Sequence, residues 1–142
     1  MSILHVPGDS PSRRLRGKRV VVAETEGITV MMLHSALRRE GAHVVAVCRS
    51  AAECVPLAQQ EKPDLVLVAL SPHNLSETIS AVRQLSRAER SCIVIITSTV
   101  SDQDETHLRA AGAAGFVKMP FTVDQLLPLV EDTCSTRWTS AS

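Results

Sequence analysis

The sequence predicts a single doubly wound α/β domain, a parallel sheet with helices on both faces. Three observations point there. Apolar runs alternate with helical patterns five times between residues 18 and 133. The runs are apolar at consecutive positions, as in Asp64-Leu-Val-Leu-Val-Ala-Leu70 and Cys92-Ile-Val-Ile-Ile-Thr97, and such a strand must be covered on both sides. The chain has the length of one domain, 142 residues, and its aromatic content is only 2% against 44% apolar residues. The core must therefore be built from Val, Leu, Ile, Ala and Met, which suits a helix-covered parallel sheet.

Each element follows from local pattern. Arg19–Glu24 is the first strand. Ile28, Met32, Leu33, Ala36 and Leu37 fall on one face of a first helix, which Gly41 ends. Ala42–Cys48 is the second strand. Ser50 and Glu53 have capping-box spacing and open a second helix. Pro56 interrupts its second turn and should kink it, because proline removes a backbone hydrogen bond. Asp64–Leu70 is the third strand, Ser76–Ser86 the third helix, and Cys92–Thr97 the fourth strand. Ser101–Ala111 is a fourth helix stopped by Gly112, and Gly115–Lys118 a short fifth strand. Thr122 caps a last helix to about Asp132, with Pro128 inside it to distort it. Residues 1–17, with Pro7, Gly8, Pro11 and Gly17 among polar residues, read as a flexible leader. Residues 134–142 read as a frayed tail, which leaves 18–133 as the domain.

Composition excludes several function classes. Formal net charge is zero, so the chain has no large single-sign surface for nucleic acid or membrane. The one basic cluster, Arg13, Arg14, Arg16, Lys18 and Arg19, reads as a solvated leader. Apolar runs fall far short of the ~20 residues that span a bilayer, and the first residues carry no apolar signal core, which places the chain in the cytoplasm. Cys48, Cys54, Cys92 and Cys134 show no Cys-x-x-Cys spacing and no His at metal-site spacing. Cys92 reads as a small core residue, and no redox or metal role is expected of the four. No Ser–His–Asp or Cys–His arrangement is legible, and the glycines form no phosphate-cradling loop, so the chain is not read as an enzyme.

In a doubly wound sheet the working site lies at the carboxyl ends of the strands. That directs attention to Glu24–Glu26, Ala69–His73, Thr97–Ser98 and Lys118–Pro120. Four stretches there carry a resemblance: Val20-Val-Val-Ala-Glu-Thr-Glu26, Lys62-Pro-Asp-Leu-Val-Leu-Val-Ala-Leu70, Ile93-Val-Ile-Ile-Thr97, and Ala110-Ala-Gly-Ala-Ala-Gly-Phe-Val-Lys-Met-Pro-Phe121. In order and spacing they resemble the receiver domains of bacterial two-component response regulators, over about residues 18–133. The resemblance implies the CheY-like, flavodoxin-like (βα)₅ fold with sheet order 2-1-3-4-5.

In that family two acidic residues after the first strand hold Mg²⁺, an aspartate ending the third strand accepts a phosphoryl group, and a Thr or Ser and a Lys grip its oxygens. A hard cation needs several oxygen ligands, and the transferred group needs its charge neutralised. Carried over residue by residue, Glu24 matches the first acidic position, but Thr25 stands at the second and Ala69 at the phosphoacceptor. Thr97 is retained. Met119 occupies the lysine position, and Lys118 is one residue early, where a strand points to its opposite face. The resemblance thus implies a degenerate pocket of Glu24, Thr25, Ala69, Thr97 and Met119 with no catalytic residue. Glu24 and Glu26 alone should bind Mg²⁺ weakly or not at all.

The reading that follows is a pseudo-receiver, a non-phosphorylatable interaction module in two-component-type signalling with a protein partner. Two alternatives stay open. One is a small-ligand sensor using the neutralised pocket. The other is a receiver phosphorylated at a displaced residue, for which Ser71, His73 and Asn74 stand near the third strand's end. Phe116, at the family's switching aromatic, is expected to pack. The expected contact face, also that of a homodimer, is formed by the fourth helix, fifth strand and fifth helix. Its residues are Asp104, His107, Arg109, Ala111, Lys118 and Gln125, read as side chains that do not face the core.

Overall fold

The computed structural model describes residues 15–71, 73–87, 91–98 and 100–140. Five strands and five helices alternate: β1 (Arg19–Ala23), α1 (Gly27–Arg39), β2 (His43–Cys48), α2 (Ala51–Glu61), β3 (Leu65–Ala69), α3 (Leu75–Leu85), β4 (Cys92–Thr97), α4 (Asp102–Ala111), β5 (Gly115–Lys118) and α5 (Val123–Ser140). The strands form one sheet in the order β2-β1-β3-β4-β5, as expected, and every pairing is parallel. Strand limits agree with the sequence reading to within one residue.

The two-residue period of a strand divides the core into two layers. Val20, Val22, Leu65, Leu67, Val94 and Ile96 pack with Leu33 and Leu37 of α1 and Leu126 and Val130 of α5. Val21, Ala23, Val66, Val68, Ile93 and Ile95 pack with Ala58 of α2, Ala81, Val82 and Leu85 of α3, and Leu108 of α4. Each fully buried Val, Leu or Ile side chain is worth about 2 kcal/mol of transfer free energy, so both layers hold the sheet. β2 is an edge strand, and its register against β1 shifts between Val20 and Val21.

Helix ends follow the predicted caps where polar side chains reach the backbone. Ser50 Oγ accepts from Glu53 N–H, while Glu53 Oε1 accepts from Arg49 N–H. Thr122 Oγ1 accepts from Gln125 N–H, and Gln125 Oε1 accepts from Thr122 N–H, a reciprocal pair. α2 runs through Pro56 and α5 through Pro128 without ending.

Four expectations need correction. Ile28 is 76% exposed, and Thr29 takes its place in the buried stripe with Leu33, Ala36 and Leu37. Thr29 is drawn in because both its N–H and its hydroxyl donate to Glu26 Oε1. The tail is not frayed from residue 134, since α5 continues to Ser140. Trp138 Nε1–H donates to the Asp64 carbonyl at 2.8 Å, and the Lys18 ammonium lies 4.7 Å from its ring centroid. The domain also begins before residue 18. Leu15 is fully buried in the α1–α5 layer, and Gly17 N–H donates to the Gly41 carbonyl. Of the expected leader, residues 1–14 lie outside the described residues. Of the basic cluster, Lys18 serves Trp138 and Arg19 pairs with Glu61 at 2.7 Å. Finally, Cys92 and Cys134 form a disulfide, so Cys92 is more than a small core residue. Spacing could not reveal this, because 42 residues separate the two cysteines and the fold alone brings β4 to α5.

Candidate functional site

The carboxyl ends of β1, β3 and β4 open onto a cavity of about 330 Å³. Its lining includes Glu24, Thr25 and Glu26 after β1, Arg49 after β2, Ala69, Leu70 and Ser71 at the end of β3, Ser98 after β4, and Met119 after β5. The location is dictated by topology. The chain crosses from β1 to β2 on one side and from β2 past β1 to β3 on the other, leaving a crevice at the switch point.

Four of the five expected pocket residues, Glu24, Thr25, Ala69 and Met119, converge on this cavity. Thr97 does not line it. Its side chain is buried, and its carbonyl accepts from Met119 N–H at 2.8 Å. Ile96 and Ser98 line the cavity from that strand instead. Lys118 is the register partner of Thr97; it is exposed and is not part of the lining. Met119 packs with the α1–α5 layer, and the Met119–Pro120 peptide is cis.

Both carboxylates are engaged by their own loop. Thr25 and Glu26 N–H groups donate to Glu24 Oε2 at 2.9 and 3.0 Å. Glu26 is the N-cap of α1, accepting from Thr29 N–H at 2.8 Å. The hydrogen bonds from the Thr29 backbone and hydroxyl hold the Glu26 carboxyl below its ordinary value of 4.5. At the third strand's end Ala69 offers a methyl group. The donor set for the family's Mg²⁺ is thus two carboxylates already accepting backbone hydrogens, with no carboxylate from β3, and it does not fit a cation that wants a full shell of oxygens. Among the described residues no three His, Cys, Asp or Glu side chains gather as a metal-holding group.

Of the residues after the third strand, Ser71 and Asn74 line the cavity, joined by Ser71 N–H donating to Asn74 Oδ1 at 3.0 Å. His73 is exposed and outside the lining. Arg49 was missed by the sequence reading, which weighed the ends of four strands and passed over the end of β2. The same rule applied to β2 finds it, since Arg49 directly follows Cys48.

The residues expected on the contact face differ in exposure. His107, Arg109, Lys118 and Gln125 are exposed and Asp104 is half-buried. Ala111 is a correction: it is 3% exposed, because it lies three residues from Leu108 and shares that helix face. Its carbonyl also accepts from Ser86 Oγ at 3.0 Å. Arg109 is tied to Glu105 at 3.0 Å and stacks 4.8 Å from the Phe116 ring centroid. Phe116 is half-buried against the α2–α4 layer, a packing position.

Near the cavity Cys48 and Cys54 are both buried thiols. A side-chain hydrogen bond between them, with burial, pushes the Cys54 thiol well up and keeps it protonated. No helix among the described residues is long and apolar enough to cross a membrane.

Comparison with known proteins places this geometry. The profile of the response regulator receiver domain matches residues 20–131. The chain is 31% identical over 114 residues to the transcriptional regulatory protein PdtaR of Mycobacterium tuberculosis, covering 80% of this chain and 55% of that protein. It therefore spans about half the length of that relative. It is 30% identical to protein PilH of Pseudomonas aeruginosa, covering 79% of this chain and 93% of PilH. A crystal structure of a response regulator from Thermotoga maritima superposes with a TM-score of 0.74 at 23% identity, over 84% of this chain and 98% of the other. With its sheet order, its switch-point crevice and a family match across nearly the whole described fold, the chain belongs to the response regulator receiver domain family.

Proposed function

We propose that this chain is a pseudo-receiver, a signalling module that takes no phosphoryl group at its third strand and works by binding a protein partner. The observation that carries the reading is Ala69, whose methyl group lines the cavity where a receiver presents its nucleophile. The other losses agree with it. Thr25 and Met119 line the same cavity, so the second acidic group and the cationic clamp are gone with the acceptor. Losing them together avoids leaving unpaired charge in a partly closed crevice. The remaining route to a partner is a surface. The exposed Arg109, His107, Lys118 and Gln125 supply one on α4, β5 and α5, and that face would also serve a homodimer. Zero net charge speaks against nucleic acid or an anionic membrane as the partner.

The test is intact mass after incubation with Mg²⁺ and a small acyl phosphate. The parent should gain nothing, while the variant Thr25→Asp/Ala69→Asp/Met119→Lys should gain one acid-labile phosphoryl group. A stoichiometric gain by the parent would overturn the proposal, and Ser71→Ala and His73→Ala would then locate the acceptor.

A second reading is favoured by one observation, the cavity itself. At about 330 Å³ it can admit a small molecule, and Arg49, Ser71, Asn74 and Ser98 give it polar groups. A ligand seated there would bias the domain where phosphate cannot. Filling the cavity with Ala69→Phe should abolish partner binding on this reading and leave it intact on the first.

A further inference from the structure

The disulfide lies at the opposite end of the sheet from the cavity. Cys92 is the first residue of β4 and Cys134 sits on α5, and both are fully buried. Trp138 is one turn beyond Cys134 and so lies on the same helix face. It is fastened to the amino ends of two other strands, by the hydrogen bond to the carbonyl of Asp64 just before β3 and by the Lys18 ammonium just before β1. Among the described residues the end of α5 is therefore tied by the disulfide, by the hydrogen bond and cation–π contact of Trp138, and by the packing of Trp138 on the α1–α5 layer.

Cys134 takes no part in the strand pairing. All strand pairings lie between residues 19 and 118. On α5 the α1–α5 layer holds Leu126 and Val130, which precede Cys134 by one to two turns, and Cys134 itself, with Trp138 packed against it. The same chain keeps Cys48 and Cys54 as buried thiols, the Cys48 thiol donating to the Val22 carbonyl. Oxidised and reduced cysteine pairs thus coexist in one fold, and the oxidised pair ties the last turns of α5 to the first residue of β4.

We propose that Cys92–Cys134 is a reversible redox latch. When closed it docks residues 134–140 of α5 on the sheet, and when reduced by a low-molecular-weight thiol it releases them with Trp138. The exchange balances. A thiolate attacks one cysteine sulfur, the S–S bond breaks, and the other cysteine leaves as thiolate and takes up a proton. A second thiolate then attacks the mixed disulfide and frees the first cysteine, so two small thiols become one small disulfide. Because both sulfurs are buried in the docked helix, attack passes through local opening of the helix end, the part of a helix that opens most readily. The latch supplies two states of α5 without a phosphoryl group. It does not depend on Ala69 being inert.

Trp138 is the chain's one tryptophan, and the chain has no tyrosine, so its emission reports the latch directly. The full chain is equilibrated across ratios of reduced to oxidised glutathione. One aliquot is acid-quenched, unfolded and labelled with a maleimide for intact mass, with peptide mapping of the labels. The other is read for tryptophan emission and acrylamide quenching. Labelling should rise from two thiols to four as the buffer becomes reducing, with emission moving to longer wavelength and quenching rising severalfold in step, all reversed on reoxidation. Far-ultraviolet circular dichroism should stay largely unchanged. Cys134→Ser and Cys92→Ala should each hold the reduced emission at every ratio. The latch is refuted if the bond stays closed at every ratio short of unfolding. It is equally refuted if all four thiols label while Trp138 emission stays fixed, or if either variant still responds.

Discussion

Replacing Gly112 by alanine should weaken the α3–α4 junction by an amount that can be worked from the geometry. Gly112 ends α4 with φ +130°, and its N–H donates to the carbonyls of Leu108 and Arg109. A Cβ built there would lie 2.3 Å from Ser86 Cβ and 2.7 Å from Ser86 Oγ. Ser86 has little room to yield. Its N–H is bound to the Val82 carbonyl, and its hydroxyl lies 2.9 Å from the Arg83 carbonyl and 3.0 Å from that of Ala111. A side chain at such a φ costs about 1–3 kcal/mol, and forcing two packed carbons apart costs roughly another 1–3. The sum is about 2–6 kcal/mol, which at ~3 °C per kcal/mol for a domain of this size lowers the melting temperature by roughly 6–18 °C. Thermal and urea unfolding of Gly112→Ala, Ser86→Gly and the double variant form a cycle. The double variant should be more stable than the sum of the singles by about 1–3 kcal/mol, since removing the Ser86 Cβ relieves the clash but not the φ strain. A loss under about 1 kcal/mol, or no coupling in the cycle, would refute the reasoning.

Other expectations are as direct. Millimolar Mg²⁺ should leave the melting temperature of the parent unchanged, because a ligand stabilises only as its concentration approaches its dissociation constant; a rise of several degrees would show that Glu24 and Glu26 suffice. The Glu26 carboxyl titrates below 4.5 in the folded chain, so its capping contribution is present above that value and is lost as pH falls through the lower folded value. Glu26→Ala should accordingly melt below the parent near neutral pH and converge with it in acid. A stability gap that persisted unchanged at low pH would deny the charged cap. Charge reversal by Arg109→Glu and Lys118→Glu should weaken self-association or partner capture, measured by sedimentation and pull-down. Arg109→Glu also breaks the pair with Glu105, worth a few tenths of a kcal/mol, so its melt must be read beside its binding. If both variants bind as the parent does while Ala69→Phe does not, the cavity is the working site.

Much of the candidate site was legible because strand ends are legible. A run apolar at every position must be covered on both faces, five such runs with helices between them must form a parallel sheet, and such a sheet places its crevice at its carboxyl edge. Glu24, Thr25, Ala69 and Met119 converge there for that reason. Thr97 is buried at the end of β4 and is not among the residues that line the cavity. Ile96 and Ser98 on either side of it do line the cavity. Arg49 directly follows β2, a strand the sequence reading found but whose carboxyl end it did not weigh.

What the sequence by itself determined is everything that depends on local period and chain order: the ten elements to within a residue at the strands, the two-layer core, the caps at Ser50 and Thr122, and the absence of a carboxylate at the end of β3. Those are short-range consequences of which side chains alternate and which hydroxyls reach the next turn. Only the tertiary structure decided what joins distant segments. Leu15 enters the core, Trp138 reaches back to Asp64 and Lys18, and Cys92 meets Cys134. The physical reason is common to all three. The contacts join residues far apart in the chain, so neither a helical nor a strand period encodes them, and a buried position exists for them only after the sheet and helices have packed.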